Sequence, residues 1–127
     1  MSVLGDSELL AAADAAAARA YAPYSGFHVG CAVLARDGRV IEGVNVENAA
    51  YPLGVCAERT AFARAVAEGY RPGDLVVAAI TASPCGGCRQ WLHEMGVERV
   101  VFRNGGRVVT MTPDELLPES FDSSDFR

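Results

Sequence analysis

"DLVVAAITASPCGGCRQWLHEMGVERVVFR", residues 74–103, decides the architecture. Residues 74–82 form an apolar, β-branched run between Pro72-Gly73 and Ser83-Pro84, the pattern of a buried strand. Residues 85–96 carry helix formers and stop at Gly96. Residues 98–104 are β-branched again and read as a second strand. A strand, a helix and a strand in immediate succession make a crossover, which places the two strands parallel in one sheet.

Upstream, residues 7–21 are alanine- and leucine-rich and predict a helix capped by Ser7, broken by "PYSG" at 23–26. "FHVGCAVLA" (27–35) and "VIEGVNV" (40–46) read as strands joined by "RDGR", with Asp37-Gly38 at the centre of a hairpin turn. "ENAAYPLG" (47–54) is a loop, and "VCAERTAFARAVAEG" (55–69) a helix that Gly69 ends. Downstream of the crossover, Gly105-Gly106 turns the chain into a strand at 107–111. "TPDELL" (112–117) then opens a short helix with Thr112 as cap and Pro113 in the first position. This order predicts an α/β fold of three layers, α/β/α, around a mixed sheet of about five strands. One domain is expected to span residues 1–127.

Half of the 127 residues are hydrophobic, enough for a core, and the formal net charge is −5 with no lysine. No basic stripe is present, which argues against a nucleic-acid partner and favours a small ligand. No apolar run reaches the length of a membrane span, and the N-terminus lacks a secretory signal pattern, so the chain reads as soluble and cytoplasmic. Four cysteines in such a chain favour metal or thiol chemistry over disulfides.

On its own, the C-x-x-C of "SPCGGCRQ" (83–90) fits a redox pair, a structural zinc knot or half of a catalytic metal site. The second cysteine motif, "GVCAERTA" (54–61), narrows the choice. Cys85 and Cys88 lie three apart at one helix start, and Cys56 lies at another. Helix N-termini favour thiolates. Three thiolates converging there describe a zinc site with an open fourth position, the mark of a catalytic rather than a structural centre. Glu58, two residues after Cys56, suits a proton carrier beside that position. Three thiolates leave zinc a formal charge of −1, which Arg59 or Arg89 is expected to offset by hydrogen bonds to sulfur. Cys31, in the apolar "VGCAVL", reads as a core residue rather than a fourth ligand. His28 and His93 read as ordinary surface or packed histidines, and Trp91 as core.

"CAE" followed by "PCGGC" resembles the signature of the zinc nucleoside and base deaminases. "YAPYSGFHVGCAVL", "GVNVENAAYPLGVCAERTAF", "SPCGGCRQWLHE" and "ELLPESF" together resemble the small homotetrameric cytidine deaminases. The resemblance implies the cytidine deaminase fold and one Zn2+ per chain on Cys56, Cys85 and Cys88. It implies Glu58 as the proton shuttle in hydrolytic deamination of cytidine and 2′-deoxycytidine, a step of pyrimidine salvage. Asn45 and Glu47 would bind ribose hydroxyls and Phe27 would pack on the pyrimidine. Ala57 and Ser83 would act through the backbone. The segment containing Ala49 and Tyr51 would border the substrate, partly from a neighbouring subunit, and Phe121 would reach a neighbour's pocket. The residues agree with these roles: a carboxylate at 47 accepts hydroxyls and repels phosphate, and an aromatic ring at 27 stacks on a flat base. The family often has a longer connection between the strand and its S-P-C than "AAITASPC" supplies here.

Blander and competing readings make different predictions. Asn45 and Glu47 would merely satisfy loop backbone, as such residues often do, and Phe121 would close the core. A deaminase of an aminoacylnucleoside antibiotic would not need "NVENAAY". An editor of cytosine in RNA or DNA would not be acidic. A structural zinc module would use Cys31 as a fourth ligand and give Glu58 no purpose.

Overall fold

The computed structural model describes residues 4–126. The crossover is where residues 74–103 put it. Leu75–Ile80 (β3), Gly86–Met95 (α3) and Arg99–Asn104 (β4) follow in order, and β3 pairs parallel with β4. On one side of β3 lies the antiparallel hairpin of Gly30–Ala35 (β1) and Val40–Val44 (β2). On the far side of β4 lies antiparallel Arg107–Met111 (β5). The five-stranded order is β2-β1-β3-β4-β5, a mixed sheet as expected.

Side-chain alternation along the strands makes two cores. Ala32 and Leu34 of β1, with Val77 and Ala79 of β3, pack against Leu9, Leu10 and Ala13 of Asp6–Ala17 (α1). Cys31, Val33, Ala78 and Ile80 face the other way. They meet Ala61, Phe62 and Ala65 of Ala57–Ala67 (α2), Leu92 of α3, and Leu116 of the short helix Pro113–Leu116 (α4). The result is the three-layer α/β/α arrangement, with α1 on one face and the other helices opposite.

Two glycines let the helices approach. A Cβ on Gly30 would stand 1.9 Å from the carbonyl oxygen of Ala13, and one on Gly43 would stand 2.4 Å from that of Ala57. Both obstructions are backbone, so only glycine fits while α1 and α2 keep their places.

Boundaries moved where tertiary pairing overrides local pattern. Helix α1 begins after Gly5, whose N–H donates to the Glu8 carboxylate at 3.0 Å, so Ser7 lies inside the helix rather than capping it. It ends at Ala17, not residue 21, because the Tyr21 backbone pairs with Asn45 and Glu47. Strand β1 starts at Gly30, not 27, and β2 ends at Val44, not 46. Val46 instead forms single bridges with Tyr21 and Val55. Trp91, expected in the core, is 37% exposed, while its neighbour Leu92 is fully buried. Thr112 and Pro113 open α4 as expected, and the Thr112 hydroxyl accepts from the Glu115 N–H at 3.2 Å.

Gly30→Ala is expected to lower stability by about 3 kcal/mol, through overpacking against helix backbone. Gly106→Ala, whose added methyl meets nothing within 4 Å, should stay within about 0.5 kcal/mol of the parent chain. Chemical denaturation of the two variants checks the difference.

Candidate metal centre

Strand β3 ends at Ile80, and a short approach through Ser83 and the buried Pro84 delivers the chain to Cys85. Cys85 is the N-cap of α3, and its Sγ accepts from the Cys88 N–H at 3.4 Å. Cys56 is the N-cap of α2. The two helix starts therefore meet at one end of β3, beside the carboxyl ends of parallel strands, where α/β sheets commonly hold their ligands. The sulfurs of Cys56 and Cys85 are 4.0 Å apart, and all three sulfurs lie within 4.8 Å of one another. A tetrahedral ion with Zn–S bonds of about 2.3 Å requires sulfurs roughly 3.8 Å apart, so the spacing fits. Among the described residues, no other His, Cys, Asp or Glu joins the cluster.

Charge explains why the cluster suits a cation. Burial pushes the Cys88 thiol far up, with Glu58 adding repulsion. Burial raises Cys56 too, opposed by Cys88 but reinforced by Cys85 and Glu58. At Cys85 burial is outweighed by the Cys88 N–H and by the Cys88 and Cys56 thiols, and this thiol is lowered. The expectation that helix starts favour thiolates thus holds at Cys85 alone. A bound divalent cation reverses the balance at the other two.

Glu58, in the first turn of α2, is the one charged residue in the described core, 3% exposed. Burial raises its carboxyl above the usual range; its own N–H, Cys88 and Arg59 offset part of that rise. It shares a cavity of about 210 Å³ with Cys56, Cys85, Phe27, Asn45, Ala57 and Ser83.

A family model described as the cytidine and deoxycytidylate deaminase zinc-binding region matches residues 5–104, which include all three cysteines and Glu58. The chain belongs to this deaminase family. A cytidine deaminase from Halalkalibacterium halodurans is 45% identical over 115 residues, covering 84% of this chain and 86% of that one. One from Sporosarcina psychrophila is 44% identical over 125 residues, covering 93% and 92%. The crystal structure of cytidine deaminase from Burkholderia pseudomallei superposes with a TM-score of 0.87 at 44% identity, covering 93% of this chain and 100% of that chain. The family's cofactor is zinc.

Within this deaminase, the two arginines separate. Burial works against the charge on Arg59, but Cys88, Cys56 and Cys85 outweigh it and hold the guanidinium charged. Its Nη2 lies against the first turn of α3, 2.3 Å from where a Cβ on Gly87 would stand. Arg89 instead donates to the carbonyls of Pro84 at 2.9 Å and Leu116 at 3.0 Å, and to the Ser83 hydroxyl at 3.5 Å. With its nitrogens taken by oxygen, it braces the approach to Cys85 against α4 rather than bonding sulfur. Cys31 is fully buried among Val33, Phe62 and Ile80, outside the sulfur cluster. His28 is exposed, and His93 contacts Ser120, Asp114 and Asp122.

The deaminase's substrate candidates fall into three groups. Phe27, Asn45, Ala57 and Ser83 line the cavity with Glu58. Glu47 and Tyr51 line a separate, more open cavity with Tyr24, Ser25, Asn48 and Gly54. Ala49 is exposed and lines neither. Phe121 is 59% exposed, packed edge-on to Phe126 with its carbonyl held by Gln90 at 2.7 Å, so it does not close the core. Val29, Ile80 and Ala82 complete the cavity that holds Glu58; in sequence all three read as plain strand residues. Tyr24 and Ser25 read as part of a helix-breaking turn within the stretch that resembles the family, with no role assigned to either.

Zinc content separates the cysteines. Cys56→Ser, Cys85→Ser and Cys88→Ser should each lose bound metal, while Cys31→Ser should keep one zinc per chain by elemental analysis. Zinc loss from Cys31→Ser in a folded sample would contradict this assignment.

Proposed function

We propose that the chain catalyses the hydrolytic deamination of cytidine and 2′-deoxycytidine to the uridines, with release of ammonia, as a cytoplasmic salvage enzyme. The observation that carries this reading is the placement of Glu58, a buried carboxyl at the same small cavity as Cys56, Cys85, Phe27 and Asn45. Membership of the deaminase family and relatives named as cytidine deaminases support it.

Cys56, Cys85 and Cys88 would hold the zinc, which when bound would lower the pKa of water and so supply a nucleophile near neutral pH. Glu58 would accept one proton from the attacking water and pass it to the ring nitrogen, then accept the second from the new hydroxyl at C4 and pass it to the departing amine. One water is consumed and one ammonia released. A carboxyl raised by burial is better matched to this two-way traffic than an exposed one. Arg59 offsets the negative charge of three thiolates.

Phe27 offers its ring to the pyrimidine. Asn45 keeps spare capacity for ribose. Its Oδ1 accepts from the Val29 N–H and its Nδ2 donates to the Phe27 carbonyl, both at 2.8 Å, leaving one lone pair and one hydrogen. Glu47 Oε1 accepts the N–H groups of Tyr24 and Ser25 at 2.9 and 3.0 Å, and Oε2 accepts the Ser25 hydroxyl, leaving part of Oε2 free. Both residues thus satisfy loop backbone and can still read a sugar. The backbones of Ala57 and Ser83 border the base. We infer one catalytic domain and a homotetramer in which Ala49, Tyr51 and the exposed Phe121 serve neighbouring sites.

Purified, zinc-loaded chain should convert cytidine to uridine, followed by loss of cytidine absorbance. Glu58→Gln should retain zinc and lose about 10²- to 10⁴-fold in kcat. Near-normal turnover by that variant would remove Glu58 from the reaction.

A further inference from the structure

Phe27 is 62% exposed, so packing does little to fix its ring. Its backbone is nevertheless held on both sides. The carbonyl accepts from Asn45 Nδ2 at 2.8 Å, and the N–H donates to the Ser25 hydroxyl at 3.0 Å. That hydroxyl in turn donates its hydrogen to Oε2 of Glu47. A serine hydroxyl has one hydrogen and two lone pairs. With the hydrogen committed to a carboxylate, the lone pairs are free to face the Phe27 N–H. The Ser25 hydroxyl and N–H both favour the ionised form of Glu47 and hold its carboxyl below the usual range.

The pairing is specific in sequence terms. Asn45 and Glu47 flank Val46, which is pinned by backbone bonds to Val55. The Tyr21 N–H and carbonyl pair with Asn45 and Glu47, closing the other end of the loop. The loop from residue 22 to 29 is therefore a span anchored at both ends to residues 45–47. Gly26, with φ of 69°, makes the turn between Ser25 and Phe27. Among the described residues, Ser25 is the single side chain that hydrogen-bonds both the carboxylate and the Phe27 amide.

We propose that Ser25 is a positioning residue that couples Glu47 to Phe27. Its hydroxyl relays the placement of the carboxylate to the aromatic ring on the cavity wall, so that sugar and base are read as one unit. This assignment rests on the functional reading of Glu47 and Phe27 given above.

The test uses full-length, zinc-loaded protein. Ser25→Ala should raise KM for cytidine about tenfold, the worth of one hydrogen bond to a charged group, with kcat and zinc content close to the parent values. Ser25→Thr, which keeps the hydroxyl, should restore KM. In a Glu47→Gln background the Ser25→Ala change should raise KM far less than it does alone, because the relay is already weakened. An unchanged KM, a loss confined to kcat, or full additivity with Glu47→Gln overturns the coupling. Amide hydrogen exchange supplies a second readout that needs no turnover. The Phe27 N–H should exchange about tenfold faster in Ser25→Ala and not in Ser25→Thr. Equal exchange in all three proteins overturns the clamp. A parent chain inactive on cytidine but showing the exchange difference would overturn the substrate reading and leave the clamp standing.

Discussion

Three sulfurs and a buried carboxyl share one small volume between two helix starts, and a cation is what makes that arrangement stable. Cys56, Cys85 and Cys88 lie within 4.8 Å of one another, and Glu58 is almost wholly buried beside them. Burial, with Glu58 and the neighbouring sulfurs adding to it, pushes the Cys88 thiol up, and burial with Cys85 and Glu58 raises Cys56 despite the opposing contact from Cys88. A divalent ion would convert the same proximity into attraction.

The sheet exists, in functional terms, to bring those helix starts together. Ile80 carries β3 to the cavity, and Ala78 and Ile80 belong to the core that Phe62 of α2 and Leu92 of α3 also fill. Close approach depends on glycine at Gly43 under α2, where the obstruction is helix backbone. The opposite wall is a loop, and hydrogen bonds take over the role that packing plays beneath α2. Asn45, Glu47 and Ser25 hold Phe27 where an exposed ring would otherwise be free to move. One side of the site is thus rigid and apolar behind, and the other is a polar clamp.

Much of this was legible in the chain before any coordinates. The crossover at 74–103, the Asp37-Gly38 hairpin and the Thr112-Pro113 cap rest on local physics, and local physics placed them. The cysteine spacing pointed to Cys85 and Cys88 as a pair because residues three apart share a helix face, and the second motif added Cys56. What escaped was decided at a distance. Tyr21 reads as helix until Asn45 and Glu47 compete for its backbone. Arg89 sits next to Cys88 in sequence, but its guanidinium reaches the Pro84 and Leu116 carbonyls instead. Trp91 follows the apolar pattern of α3 yet faces outward, since Leu92 takes the inward position. Ser25 has no role legible from its turn, because its hydroxyl partner is a carboxylate more than twenty residues away.

The central claim is an ion held by three thiolates with its fourth position left open. Zinc K-edge X-ray absorption on the zinc-loaded chain tests it directly. Three sulfur neighbours at about 2.3 Å and one lighter oxygen or nitrogen neighbour are the predicted result. Four sulfur neighbours would mean a closed structural centre and would contradict the account.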